Sequence, residues 1–331
     1  MKRSIYIFSS GEIHRKQNTL YFQLEDGRRK YIPVENTREL LIFGEVSINK
    51  KLLEFLSQKE IILHFFNHYG YYVGSYYPRE HYNSGHMILK QAEFYLDHEK
   101  RIDLARRFVS GAIANIKKVL NYYKNRGVEV GERLDRIEHL EETIPAQEDT
   151  DELMAIEGNA REVYYGAFNL IINNEEFEFG TRSRRPPRNR LNALISFGNS
   201  LLYTAALSEI YKTHLDPRIG FLHTCNFRRF TLNLDVAEIF KPIIVDRIIF
   251  TLINKEMIKP KHFVEEAGGI FMDEKGRKIF VEEFDRRMET TIRHQGLGRN
   301  VSYRRLILLE LYKIEKHLLG DKPYEPFVSR W

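Results

Sequence analysis

Cysteine is almost absent from this sequence, and long apolar runs are absent altogether. The single thiol, Cys225, has no second cysteine to pair with, so neither an internal disulfide nor a zinc site built from thiolates is open to the chain, in keeping with a reducing compartment. No segment approaches the roughly 18 consecutive apolar residues of a membrane span. The opening stretch, MKRSIYIFSSGEIHRK, has too short an apolar centre for a secretory signal. We therefore expect a cytoplasmic protein with no membrane partner. Internal repeats and low-complexity tracts are also missing. Nor does one charge dominate: 51 Lys and Arg face 46 Asp and Glu, for a net +5. Attraction to a polyanion would have to come from a local concentration of basic residues, not from the average.

What is present is the composition of a folded protein. A 43% share of hydrophobic residues over 331 positions suffices for two domains, each with its own core. In residues 1–80, short runs rich in β-branched and aromatic residues (SIYIFS, TLYFQL, KYIPV, ELLIF, EIILHFF and YYVGSYY) alternate with turn signals such as Glu25-Asp26-Gly27 and Tyr69-Gly70. One amphipathic stretch, NKKLLEFLSQKE, sets Leu52, Leu53 and Leu56 at helical spacing behind Asn49 as N-cap. Pro78, Asn83, Ser84 and Gly85 break both patterns, which places a linker at 81–85. From 86 to 331 the period becomes helical, beginning with MILKQAEFYLDHEKRIDLARRFVSGAIANIKKVLNYYKNRG, one or two helices that end at Gly127. The expected fold class is α+β: a small β-rich N-terminal domain followed by a larger all-α domain.

Three places in the helical part carry chemistry. In MAIEGNAREVYYGAFN, Glu157 sits among Met154, Ala155, Ile156 and Ala160, where a carboxylate is costly unless it is paired or bound to metal. A salt bridge to Arg161, four residues on, is the ordinary alternative. In GFLHTCNFRRFTLNLDVAEIFKP, residues 220–242, Asp235, Glu238 and Lys241 are spaced by three. If LDVAEIFKPIIVDRIIFTLI is one helix, they share a face, and Val236, Ile239, Phe240 and Ile243 fill the opposite, buried side. His223 precedes Asp235 across a connection containing Asn226, Arg228 and Arg229, long enough to fold back over that helix. Carboxylates with one imidazole and no thiolate suit Mg²⁺ or Mn²⁺. A histidine beside two acids is also a common structural group. The third place is a loop in which Arg182, Arg184, Arg185, Arg188 and Arg190 crowd around Pro186 and Pro187. Guanidinium forks match phosphate oxygens, whereas the plain reading is a solvated basic loop. Tyr164, Tyr165 and Tyr203 lie near these segments, placed either to stack on bases or to fill the core.

Taken in order, AIEGNAREVYYGAFN, then RRPPRNRLNALISFGNSLLYTAALSEIYKTHLDPRIGFLHT, then LNLDVAEIFKPIIVDR resemble the CRISPR-associated protein one family, the integrase of spacer acquisition. The likeness runs over nearly the whole chain, including LLIFGEVSINKKLLEFL in the first domain and YRRLILLELYKIEKHLLGDKPYEPF near the end. By position the resemblance implies Glu157, His223 and Glu238 as catalytic metal ligands, with Asp235 as an acid beside the site, either supporting it or touching a second metal. It implies Lys241 as a basic residue facing DNA, and it turns the five arginines of the loop into a DNA surface. Two departures stand out: THLDP lacks the glycine usual before LDP, and Glu238 replaces an aspartate found in many members, lengthening the reach by one methylene.

The chemistry implied is transesterification dependent on Mg²⁺ or Mn²⁺, in which the 3′-hydroxyl of a double-stranded spacer fragment attacks a phosphodiester at the edge of a CRISPR repeat. The resemblance further implies a homodimer paired through the β-rich domains and joined by a small second CRISPR adaptation protein. Apolar faces such as Ile5, Ile7 and Phe8 would serve either that interface or an ordinary core. Two other classes compete with this one: a metal-dependent nuclease that cuts branched or single-stranded DNA without joining it, and a non-catalytic DNA-binding scaffold.

Overall fold

Strands form where the β-branched and aromatic runs place them. The computed structural model describes residues 2–78, 82, 84–225 and 230–330, and the chain divides into two compact units, Met1–His81 and Tyr82–Trp331. Parts of the expected linker, and Asn226, Arg228 and Arg229, lie outside the described residues. In the first unit β1 (Arg3–Ile7), β2 (Gly11–Lys16), β3 (Thr19–Leu24), β4 (Arg29–Ile32), β5 (Thr37–Ile42) and β6 (Val46–Ser47) precede α1 (Lys50–Lys59), β7 (Ile62–Phe66) and β8 (Tyr72–Tyr76). They form two four-stranded sheets, ordered β1-β5-β7-β8 and β4-β3-β2-β6. In the first, β1, β5 and β7 run parallel and β8 antiparallel.

Composition alone does not announce β2. Its sequence GEIHRK buries a single side chain, Ile13, so the alternation that marks a half-buried strand is nearly invisible there. The core of this unit gathers Ile13, Leu20, Phe22, Leu40, Ile42 and Leu63 from the strands with Leu52, Phe55 and Leu56 from α1. Asn49 caps α1, its Oδ1 accepting from the Leu52 amide at 3.0 Å. The apolar residues expected to serve either an interface or a core are taken up within the unit: Ile7 belongs to its core, Ile5 packs against that core, and the Phe8 ring stacks on Phe43.

The second unit opens with α2 (Gly85–Leu96) and α3 (His98–Lys124), split at Asp97, whose side chain caps α3. Next come α4 (Gly131–Thr143), α5 (Thr150–Gly166), α6 (Phe168–Ile172), α7 (Arg190–Ile210), α8 (Leu232–Phe240) and α9 (Arg247–Asn254). The rest comprises β9 (Phe263–Glu266), β10 (Gly269–Met272), α10 (Glu274–Glu289), β11 (Thr291–His294), β12 (Arg299–Ser302) and α11 (Tyr303–Leu318). The unit is therefore helical but not all-α. Two antiparallel hairpins, β9–β10 and β11–β12, interrupt it, the first turning through Ala267 and Gly268, both at positive φ as a two-residue hairpin requires. Among the described residues no helix is long and apolar enough to cross a membrane.

The run expected as one helix from Leu234 is three segments. α8 gives way to a π-helical turn, Pro242–Asp246, before α9 begins. Pro242 has no N–H to donate, and the Asp246 amide reaches back five residues to the Lys241 carbonyl at 3.1 Å. Arg287 on α10 donates to the Ile243 carbonyl from Nε and Nη2, at 3.0 and 2.6 Å. Behind α8, Asn115 on α3 donates to the carbonyls of Ile239 and Phe327 at 3.0 and 2.8 Å, and Phe327 stacks on Phe240. The π turn also packs on α7 at Gly198, where a Cβ would lie 2.6 Å from Val245 and 2.7 Å from Phe280. Gly198→Ala should therefore cost about 1–3 kcal/mol of stability through overpacking, read as a lower urea midpoint at unchanged slope; a midpoint equal to that of the wild type would contradict this close approach.

Candidate active site

His223 is placed by a carboxylate, not by its own loop. The chain from Asp216 turns over the start of α8, where the Asp235 side chain accepts the amides of Phe221 at 2.6 Å, Leu222 at 3.1 Å and His223 at 3.0 Å. The same Asp235 Oδ1 lies 2.7 Å from His223 Nδ1. With Nδ1 donating to the carboxylate, Nε2 becomes the nitrogen with a free lone pair. Gly220 is required here, since a Cβ would fall 2.7 Å from Asp235 Oδ2 and 2.8 Å from the Thr231 backbone. Gln91 on α2 fastens the same turn by donating to the carbonyls of Asp216 and Ile219, and Arg101 on α3 holds the Phe221 carbonyl at 3.0 Å.

The two glutamates meet on one guanidinium. Arg161 on α5 donates from Nε to Glu157 Oε1 at 2.8 Å, one turn back on its own helix. Its Nη2 reaches across to α8 and binds Glu238 twice, at Oε2 (2.8 Å) and at the backbone carbonyl (2.9 Å). The other oxygen of Glu238, Oε1, accepts from the Lys241 ammonium, which also sits 4.9 Å above the Tyr203 ring. α8 is buried nearly all round: Asp235 is as enclosed as Val236 and Ile239, and Glu238 and Lys241 are buried with them. The expected polar face does not exist, and each polar group is satisfied by an individual partner instead.

These neighbours set the charges. Burial, followed by the negative charge of Glu238, raises the Glu157 carboxyl above its ordinary value against the pull of Arg161. Burial opposes ionisation of Glu238 as well, but Lys241 and Arg161 outweigh it and hold that carboxyl well below the carboxylate range. Burial is the largest single influence on His223 and lowers its basicity, but the hydrogen bond and charge of Asp235 together with the charge of Glu238 outweigh it, so its pKa lies above 6.5. Asp246, 1% exposed, is pushed up to about 7, mainly by burial.

A family model described as CRISPR associated protein Cas1 matches residues 5–286. This chain belongs to the Cas1 family. It is 64% identical over 331 residues, the whole of both chains, to a CRISPR-associated endonuclease Cas1 of Thermodesulfovibrio yellowstonii. The solved structure of a CAS1 protein from Thermotoga maritima superposes with a TM-score of 0.89 at 49% identity, covering 97% of this chain and 98% of that one. A casposase bound to integration product shares the fold, with a TM-score of 0.88 at 20% identity over 100% of this chain and 96% of that one.

The Cas1 family resemblance names Glu157, His223, Glu238 and Asp235; the structure pairs Glu157 and Glu238 through Arg161 and His223 with Asp235, with Glu238 and Asp235 buried and Glu157 and His223 partly exposed. As donors the first three fit Mg²⁺ or Mn²⁺: two carboxylates and an imidazole whose far nitrogen is held by a third carboxylate. Among the described residues no group of three His, Cys, Asp or Glu side chains is gathered to hold an ion; Glu157 is turned onto Arg161, and Glu238 onto Arg161 and Lys241. The basic residues divide. Lys241, expected to face DNA, is instead buried on Glu238. Arg182 is half-buried and bonds Asn192 Oδ1 at 2.8 Å and Ser196 Oγ at 3.1 Å, fastening the loop to α7. Arg190 is paired with Glu176 at 2.8 Å. Arg184, Arg185 and Arg188 are exposed. Tyr164 and Tyr165 are core residues, not stacking platforms.

Sequence reading misses Asp246. Its only signal is Pro242, which breaks the helical phase and swings the next acid inward.

The His223–Asp235 pair has a pH signature. With a folded pKa raised above 6.5, its contribution to stability is complete below about pH 6.5 and is lost as pH rises through the raised value. Unfolding free energy measured by urea should therefore fall more between pH 6.5 and 8.5 in the wild type than in His223→Gln. Parallel pH curves for the two would remove the pair as a source of that stability.

Proposed function

We propose that this chain is a divalent-metal-dependent DNA integrase of CRISPR adaptation, joining the 3′-hydroxyl ends of spacer DNA to the CRISPR repeat. The observation that carries the reading is the meeting of Glu157 and Glu238, from different helices, on one buried guanidinium, next to an imidazole held by Asp235. A purely structural ion pair has no use for the second carboxylate and the imidazole. Glu157, Glu238 and His223 would hold Mg²⁺ or Mn²⁺. When bound, that ion supplies charge stabilisation at the scissile phosphate and lowers the pKa of the attacking hydroxyl.

The chain's own residues do the rest. Asp235 keeps the His223 Nδ1 proton in place, so that Nε2 presents its lone pair to the centre. The apolar packing of α8 and the Tyr203 ring exclude bulk water, which strengthens each electrostatic contact made there. Arg184, Arg185 and Arg188 offer forks to the phosphate backbone and register the duplex without reading its sequence. In the joining step a new phosphorus–oxygen bond forms to the incoming 3′-oxygen while the bond to the repeat's 3′-oxygen breaks, leaving that strand end with the proton. No covalent enzyme–DNA bond is needed. Spacer length is a dimension larger than one site, which supports a homodimer bridged by the second adaptation protein.

A nuclease reading has one observation in its favour: the relative at 64% identity is named an endonuclease. The same centre would then direct water, not a 3′-hydroxyl, at the phosphate. The deciding experiment incubates the protein, the second adaptation protein, labelled spacer DNA and a supercoiled repeat-bearing plasmid with Mn²⁺ or Mg²⁺. Joined product is expected; release of free ends with no joining would favour the nuclease.

In that assay Glu157→Gln, Glu238→Gln and His223→Ala should each lower joining at least about 100-fold, because groups that act as a unit fail together. Gln is chosen for the glutamates to keep their volume beside Arg161. Substantial joining by any of the three, shown folded by circular dichroism, would break the assigned centre.

Replacing Arg184, Arg185 and Arg188 together should weaken binding to unrelated duplexes alike and flatten the log–log salt dependence by about one unit per arginine. An unchanged slope, read by fluorescence anisotropy, would return the loop to solvent.

A further inference from the structure

Both proposed carboxylate ligands already have cationic partners. Glu157 gives one oxygen to Arg161, while Glu238 gives one to Arg161 and the other to Lys241. A divalent cation cannot take both carboxylates while two buried monovalent cations keep these bonds, because like charges at such distances repel strongly in a site shielded from water. One cation has to give way, and among the described residues a further carboxylate stands within 4 Å of Arg161.

That carboxylate is Asp246. It is 1% exposed, yet neither carboxylate oxygen has a hydrogen-bond partner. Buried carboxylate oxygens are seldom left so. The Arg161 Nη1 nitrogen is likewise buried and unsatisfied, and it lies 3.9 Å from Asp246 Oδ2, just beyond hydrogen-bond range. Donor and acceptor face one another across a gap that a small side-chain rotation would close. The π turn produces this placement, since its Asp246 amide bonds the Lys241 carbonyl five residues back and shifts the helical phase after Pro242. The groups that bear on Asp246 are Arg161, Lys241, Glu238 and the Tyr164 hydroxyl, which is turned toward the carboxylate but stays outside hydrogen-bond geometry.

We propose that Arg161 is an internal placeholder for the metal, and that Asp246 is the carboxylate to which its guanidinium moves when Glu157 and Glu238 turn onto the ion. Asp246 is then a positioning residue, acting through Arg161. In the metal-free state Arg161 keeps two buried carboxylates compensated, so the site survives without an ion. On loading, Asp246 becomes the anion that balances the displaced guanidinium. The inference rests on Glu157, Glu238 and His223 being the metal site.

The test is Mn²⁺ affinity by titration calorimetry on the full chain, free of DNA. Asp246→Asn should weaken Mn²⁺ binding roughly tenfold or more, the scale of losing a group that supports a ligand, while Arg161→Lys, too short to span both glutamates, should tighten it. In Arg161→Lys/Asp246→Asn the Asp246 substitution should lose its effect, since the two act on one step. Unaltered affinity in Asp246→Asn, or weakened affinity in Arg161→Lys, overturns the placeholder role while leaving the metal site standing. Absence of Mn²⁺ binding to the wild type overturns the metal site and this inference with it. If the Arg161 variants do not fold, wild-type crystals grown with and without Mn²⁺ decide. An Arg161–Asp246 hydrogen bond confined to the Mn²⁺ form supports the proposal, and an Arg161 that stays on both glutamates with Mn²⁺ bound overturns it.

Discussion

The helical unit of this molecule is arranged around a charge that cannot be removed alone. Arg161 is enclosed by protein, and so is Glu238; each would be costly to bury by itself, and breaking such a pair from one side typically costs about 3–5 kcal/mol. The dependence runs through the backbone as well, because Nη2 holds the Glu238 carbonyl along with its side chain. α5 is thereby tied to a specific turn of α8, and α8 is set against α3 by the Asn115 bond to Ile239. Sliding either helix by a residue would separate the charges before it disturbed much apolar packing. Apolar contacts tolerate small shifts; this contact does not, so it fixes where the glutamates stand.

How much of this is legible in the sequence depends on the length scale of the cause. Strands such as TLYFQL declare themselves because every second residue packs inward, whereas GEIHRK hides a strand behind one buried isoleucine. α1 is legible down to its cap, because Asn49 and Leu52 are three residues apart and the bond between them is local. The spacing of Asp235, Glu238 and Lys241 suggests one polar face opposite a buried apolar side. That reading fails because the partners that let these residues be buried are remote: Arg161 lies 77 positions from Glu238. The pairing of Glu157 with Arg161 is visible as an ordinary helical ion pair, and its second arm is not. Asp246 escapes notice for a different reason, since a constant helical period carried past Pro242 gives the wrong phase.

The two sides of the candidate centre differ in readiness. On the His223 side, ring and backbone are already set by Asp235, and Nε2 has only to give up its proton to accept an ion. On the glutamate side the hydrogen bonds to the carboxylate oxygens come from cations of the protein itself. A site built this way is rigid where it needs an orientation and exchangeable where it needs charge. The arginine loop also divides: Arg182 and Arg190 hold the loop to its own helix and to Glu176, and Arg184, Arg185 and Arg188 are exposed at the surface.

The clamp on His223 has a bearing on how such chains diverge. One carboxylate grips three consecutive amides and the ring of the third residue, so the imidazole is located before the chain continues past it. The constraint therefore falls on Asp235, which no other side chain among the described residues duplicates in these contacts, and on Gly220, where any Cβ would strike the Asp235 carboxylate.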